Sequence, residues 1–177
     1  MRILFLSKRC PQGRDLVTRP YGRYHHLPVE LGRLGHQVLQ VLLSYREPEP
    51  RPVVRDGVRV EVRHVFGFGR AGSRARLVDV ARTFEADWVV AGSDAWVACL
   101  AAWVAARTGC RLAIDAYDDF ESYMPWNLPL HWCYRKAQRR ADLVTAAGPQ
   151  LAALMNRERI GRTPVEVVGM AADAAFM

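Results

Sequence analysis

Asp118 and Asp119 follow Tyr117 just past the apolar run "CRLAID". A carboxylate held on a loop can orient a hydroxyl group or help deprotonate it. The competing reading of the pair is that they are solvated loop acids or helix caps. A second pattern is "GFGRAG", Gly67 to Gly72, a literal GxGxxG between a strand-like and a helix-like stretch. In a dinucleotide site such glycines let a pyrophosphate approach a helix N-terminus, and an acid after the next strand, here Asp94, holds the ribose. The context is wrong for that role: the preceding strand alternates polar and apolar residues, it is the third strand of the chain, and the third glycine precedes the helix. A flexible glycine loop is preferred, with nicotinamide or flavin binding as the alternative.

Cys10, Cys99, Cys110 and Cys133 show no CxxC spacing, and His131 with Cys133 lacks further ligands. No metal site is expected, and the thiols read as reduced and mostly buried, as in a cytoplasmic protein. The formal net charge is +7, and 23 of the 25 basic residues are arginine, which binds phosphate bidentately. Those arginines are spread along the chain without a basic block, so a solvated surface is expected and no nucleic acid. The opening "MRILFLSKRC" has an apolar core of only four residues and reads as a strand, not a signal peptide. The longest uncharged apolar run, Ala95 to Ala106, is shorter than the roughly 20 residues that span a bilayer.

The elements that must position these residues alternate. Ile3 to Leu6 is a buried strand, Leu27, Leu31 and Leu34 mark a helix stopped by Gly35, and "HQVLQVLL" is a second strand. Pro28 must lie in the first turn of that helix or kink it. Val58, Val60 and Val62 alternate with Arg59, Glu61 and Arg63, which predicts a strand towards the sheet edge with one wet face. Leu77, Val80, Ala81 and Phe84 form a helix stripe. "DWVVAGSD" is a strand whose Ser93 or Asp94 caps a helix from Ala95 to Thr108, apolar all round and so expected to be buried, Trp96 and Trp103 included.

"CRLAID", "DLVTA" and "VEVV" supply three more strands, separated by helices through Leu130 and Tyr134 and through Leu151 and Leu154. In "ESYMPWNLPLHWCYRKAQRR" the apolar residues are expected to pack onto the core and the basic ones to form a wet face. An interfacial anchor on acidic lipid is the alternative. Strict alternation predicts an α/β fold: a Rossmann-like open parallel sheet of about six to seven strands with helices on both faces. Ligands then collect at the carboxyl ends of the strands, an edge that offers the loop Ser7 to Gly22, then Gly67 to Ser73, Ser93 and Asp94, and Tyr117 to Glu121.

Three stretches in this order resemble the N-terminal domain of the GT-B glycosyltransferases, the large retaining family that uses nucleotide-sugar donors. They are "RPYGRYHHLPVELGRLGHQVLQVLL", containing Leu34-Gly35-His36-Gln37-Val38, then "RRADLVTAAGPQLAALM" and "PVEVVGMAADAAF". The resemblance implies a domain over 1–168, an interdomain linker beginning at 169–177 with Asp173 and Phe176 retained, and a donor-binding domain not contained in these residues. It implies transfer of a glycosyl group from a nucleotide sugar to a hydroxyl acceptor, with no cofactor. Gly22, Arg19 and Arg23 would hold the donor phosphates, Ser93, Asp94 and Tyr117 the acceptor, and Asp118 and Asp119 the catalytic role. The chain departs from the family at Met170-Ala171, where Asn-Gly is usual, at Tyr21, where a first glycine is usual, and at Tyr117-Asp118-Asp119, where His-Asp is frequent. A non-catalytic partner domain is the remaining class. The expected location is cytoplasmic, with peripheral contact at the inner membrane face as its alternative.

Overall fold

The apolar run at the N-terminus becomes β1 (Arg2–Lys8), whose middle five residues are all buried, as a strand covered on both faces must be. The computed structural model describes residues 1–45, 50–64, 72–158 and 164–169. After β1 come α1 (Arg23–Arg33), β2 (Gln37–Ser44), β3 (Val53–Arg55), β4 (Val58–His64) and α2 (Gly72–Thr83). Then follow β5 (Trp88–Ala91), α3 (Ala95–Thr108), β6 (Arg111–Ala116), α4 (Leu128–Arg140), β7 (Leu143–Ala146), α5 (Pro149–Glu158) and β8 (Glu166–Val167).

The strands form one sheet in the order β3-β4-β2-β1-β5-β6-β7-β8, parallel throughout except for β3. The open α/β architecture with helices on both faces is therefore as expected. The eighth strand, β3, escaped the pattern because it is three residues long and largely exposed. Its signal lay in Asp56-Gly57, both at positive φ (49° and 80°), the conformation of a tight hairpin turn. The strand β4 lies one place in from the edge, as its alternation implied. Its Glu61 is nevertheless buried, covered by Arg59 at 2.7 Å and Arg63 at 2.5 Å.

Crossovers from β1 leftward to β2 and rightward from β5 to β8 put helices on opposite faces. One face carries α2 to α5 over a core that includes Leu4, Leu6, Val89, Val104 and Ile114. The other carries α1 over Ile3, Phe5, Val38 and Val60. Because α1 covers only one half of that face, an apolar hollow of about 240 Å³ remains beside it, lined by residues such as Phe5, Leu27, Leu31, Trp88 and Val90. Pro28 lies inside α1 and deprives the Tyr24 carbonyl of its helical donor. The buried Gln40 amide on β2 fills that place, donating to Tyr24 O at 2.6 Å.

Two burial expectations fail. Trp96 in the first turn of α3 is 43% exposed, because α2 and α4 flank the helix and leave that turn open. In the stretch before and within α4, Leu130 and Tyr134 enter the core, whereas Trp126, Leu128 and Trp132 stand in solvent.

Packing at the end of β5 is close. A Cβ on Gly92 would strike the ring of Phe5, a buried side chain that would have to shift to make room. Gly92→Ala is expected to cost about 1–3 kcal/mol, read as a lower midpoint in urea unfolding. An unchanged midpoint would mean the core around Phe5 is loosely packed.

Candidate active site at the carboxyl edge of the sheet

The parallel strands β1, β5, β6 and β7 end on one edge, and the segments leaving them bring most of the sequence-designated residues together. Gly22 is the N-cap of α1, with φ 60° and ψ −163°, a conformation that side chains with a Cβ rarely adopt. Its carbonyl accepts from the His25 and His26 N–H groups at 3.0 Å each, which starts the helix. The Arg23 and Tyr24 amides, ahead of those bonds, are the first-turn donors of α1 that have no helical acceptor.

Arg23, next in the chain, reaches across to β6. Its guanidinium donates to both oxygens of Asp115 at 2.6 and 2.7 Å, and to Val168 O beyond β8 at 2.7 Å. Thr145 on β7 donates to the same carboxylate at 2.5 Å. Both ionic side chains are only 7% exposed, so this pair locks α1 to β6, β7 and the exit from β8. Sequence reading missed Asp115, although an acid inside the otherwise apolar "RLAIDA" was the available signal: a buried carboxylate there requires a cation.

An aromatic chain continues the connection. Tyr24 meets Tyr117 edge to face at 5.3 Å between centroids, Tyr117 meets Phe120 at 5.1 Å, and Phe120 meets Tyr134 at 5.8 Å. Asp94 accepts from Val97 N–H at 3.0 Å and is the cap of α3, while Ser93 is buried and accepts from Lys8 N–H at 3.2 Å. Both of the alternatives for this turn are thereby used, one for the helix and one for the end of β1. The negative charge of Asp94 bears on the surrounding tyrosines. The phenol of Tyr45 is pushed up to about 12, by burial first and by Asp94 second. Burial likewise raises Tyr117, and it raises Tyr24 far more. These phenols therefore remain protonated donors at neutral pH.

Asp118 accepts from Asp119 N–H at 2.9 Å and from the hydroxyl of Tyr123. That contact pushes the exposed Tyr123 phenol up to about 12. Asp119 accepts from Glu121 N–H at 3.2 Å and so braces the following turn. Both carboxylates are half-buried and engaged within their own loop, close to the capping role weighed against catalysis. Arg19 is exposed on the loop ahead of Gly22. Gly67 to Ala71 lie outside the described residues, as do Met170, Ala171, Asp173 and Phe176. The GxGxxG stretch follows β4, two strands away from β1, whereas a dinucleotide fingerprint follows the central first strand.

The loop between β1 and α1 is closed by Arg9, which donates to both oxygens of Asp15 at 3.0 and 2.7 Å. Those bonds hold the Asp15 carboxyl below its ordinary range, outweighing the opposite effect of burial, and Val17 N–H adds to them. A depressed carboxyl stabilises the fold above its unfolded value near about pH 4 and loses that contribution as pH falls through the folded value. Asp15→Asn should therefore lower the melting temperature at pH 7, with the gap to the parent closing towards pH 2. A gap that stays constant across that range would show that ionisation of Asp15 plays no part.

Among the described residues, no three His, Cys, Asp or Glu side chains group as a metal site, and no helix is long and apolar enough to cross a membrane. The cysteines are free and half-buried.

An open, doubly wound α/β domain with its polar residues gathered at the carboxyl edge defines the class. The model of the glycosyl transferase 4-like domain matches residues 21–171, and the chain belongs to that family. No curated protein matches it in sequence. Among solved structures it is similar to Alr3699/HepE of Anabaena in complex with UDP and glucose, with TM-score 0.69 and 19% identity over 98% of this chain and 45% of that one. The same protein with UDP-glucose gives TM-score 0.69 at 17% identity, over 98% and 44%. Arabidopsis thaliana UGT89C1 complexed with UDP gives TM-score 0.53 at 10% identity, over 98% and 50%. At such identities the likeness is one of fold. The chain spans about half the length of these structures or less.

Proposed function

We propose that the chain is the acceptor-side domain of a glycosyltransferase that moves a glycosyl group from a nucleotide sugar to a hydroxyl acceptor. The observation that carries this is the family match over 21–171, which takes in both the Gly22 turn and the Asp118 loop. The UDP and UDP-glucose complexes of structures with the same fold support a nucleotide-sugar donor. A second, donor-binding domain, in the same chain or a separate one, completes the cleft over 1–168, with 169–177 leading towards it.

In this proposal the amides at the start of α1 receive the donor diphosphate, with helix polarity and the exposed Arg19 adding positive charge. Arg23 acts from behind: its pairing with Asp115 keeps the Gly22 turn at the edge. Ser93, Asp94 and Tyr117 line the acceptor side. The buried Ser7 hydroxyl at the end of β1, without a partner among the described residues, fits a polar ligand or water at this edge. Asp118 receives the acceptor hydroxyl in place of Tyr123 and takes up its proton. The bond from the acceptor oxygen to the anomeric carbon forms on the face from which the diphosphate departs, as the bond to the diphosphate breaks, and the nucleoside diphosphate leaves. Retention of configuration is part of the proposal, as is a cytoplasmic location, where nucleotide sugars are made.

The test measures nucleoside diphosphate release from a panel of UDP-, GDP- and ADP-sugars, with the chain alone and with its donor-side domain present. Turnover is expected only in the second case, and proton NMR of the product reads the anomeric configuration. Absence of turnover with every donor when both domains are present, or binding of NAD(P) to the chain alone, would overturn the reading.

A further inference from the structure

The helix α4 has two faces, and only one of them is accounted for by the fold. Leu130, Tyr134 and Ala137 enter the core. The opposite stripe, at spacings of four and then three or four residues, runs through Leu128, Trp132, Lys136, Arg139 and Arg140, all exposed. Trp126 stands on the turn just before it. Trp126 is 75% exposed, Leu128 69% and Trp132 60%, values at odds with the usual place of large apolar side chains.

This display is held in place rather than loose. Asn127 caps α4 by accepting from Leu130 N–H at 3.2 Å, and Asn127 N–H closes the turn onto Met124 O at 2.9 Å. The His131 ring contacts Met124 O at 2.9 Å. Arg135 donates to Glu121 through Nε at 2.9 and 3.0 Å, tying helix to loop, so its charge is already matched. Among the described residues, Lys136, Arg139 and Arg140 have no acidic partner, and Lys136 Nζ lies over the Trp132 ring at 4.8 Å. From Leu128 to Arg140 there is no acidic residue.

We propose that this face of α4, with Trp126, is a docking surface for an anionic lipid bilayer. Indole and leucine side chains suit the boundary between headgroups and acyl chains, and the three cations at the far end of the same stripe suit acidic headgroups. The helix would lie along the surface without crossing it. A glycan-binding aromatic platform has no use for the cationic end of the stripe, and a nucleic-acid site has none for Leu128. The surface does not depend on the glycosyltransferase reading, since vesicle binding needs neither donor nor acceptor. If both hold, the Asp118 loop, which leads into Trp126, works beside the membrane and the acceptor is lipid-linked.

The test is flotation of the chain with vesicles of phosphatidylcholine containing about 30% phosphatidylglycerol, against phosphatidylcholine alone, at low and high salt. Binding is expected to the anionic vesicles and to fall by roughly tenfold or more at high salt. Two triple variants, Trp126→Ser/Leu128→Ser/Trp132→Ser and Lys136→Glu/Arg139→Glu/Arg140→Glu, should each lose it while keeping the parent melting temperature. Should the apolar variant not fold, quenching of Trp fluorescence by brominated lipid, diminished in Trp126→Phe, carries the same information. No flotation with either vesicle, undiminished flotation of both variants, or a patch that instead mediates self-association or binding to duplex DNA would each overturn the proposal.

Discussion

Asp115→Asn is expected to lower the unfolding free energy by about 3–5 kcal/mol, because it leaves the Arg23 guanidinium buried without its counter-charge. The amide preserves the shape of the carboxylate and can still accept from Thr145, so lost packing is not the cause. Arg23→Met leaves the converse, an unpaired buried carboxylate, and should cost a similar amount. The double variant Arg23→Met/Asp115→Leu should recover most of either loss, since apolar side chains of similar volume replace a buried pair at little cost. Urea unfolding at pH 7 of Arg23→Met, Asp115→Leu and their double variant forms a cycle in which the coupling is read directly. A single-variant cost under about 1 kcal/mol would place the pair in effectively solvated surroundings. The clamp from α1 to β6, and with it the positioning of the Gly22 turn, would then need another cause.

If Asp118 is the base of the proposed two-domain enzyme, Asp118→Asn is expected to lower kcat by about 10²–10⁴-fold, the range lost with a positioned base. Tyr123→Phe removes only the hydroxyl that occupies Asp118 in the free protein, and should change kcat by less than about tenfold. Asp119→Ala, which loses the bond from Glu121 N–H, should act on the melting temperature more than on kcat. The two carboxylates are thus separable by experiment although they are adjacent. If Asp118→Asn lowers the melting temperature and leaves kcat unchanged, the residue only shapes its loop and the proton of the acceptor goes elsewhere, the departing phosphate being the nearest base.

Much of the fold was legible because it rests on local periodicity. The buried runs of β1, β2 and β6, the core stripe of α2, and the Asp94 cap of α3 are patterns within a few residues of one another. The strand β3 was not, because three residues carry no period, although the turn at Asp56-Gly57 announced it. The exposure of Trp96, Trp126 and Trp132 was misjudged for a different reason. Hydrophobicity says that a side chain prefers burial, but whether a face is covered depends on which helices flank it, and that is set by strand order.

The amino-acid sequence by itself determined the alternation of strands and helices, hence the open parallel sheet, and the family to which the chain belongs. It also determined which loops would meet at the carboxyl edge, since in a parallel sheet every strand leaves on the same side. Only the tertiary structure decided that Arg23 would be taken by Asp115, 92 positions away, that Gln40 would complete the carbonyl orphaned by Pro28, and that one stripe of α4 would face outward. Periodicity is a property of neighbours along the chain, whereas a counter-charge, a hydrogen-bond partner or a covering helix is brought from a distance by the packing of the whole sheet.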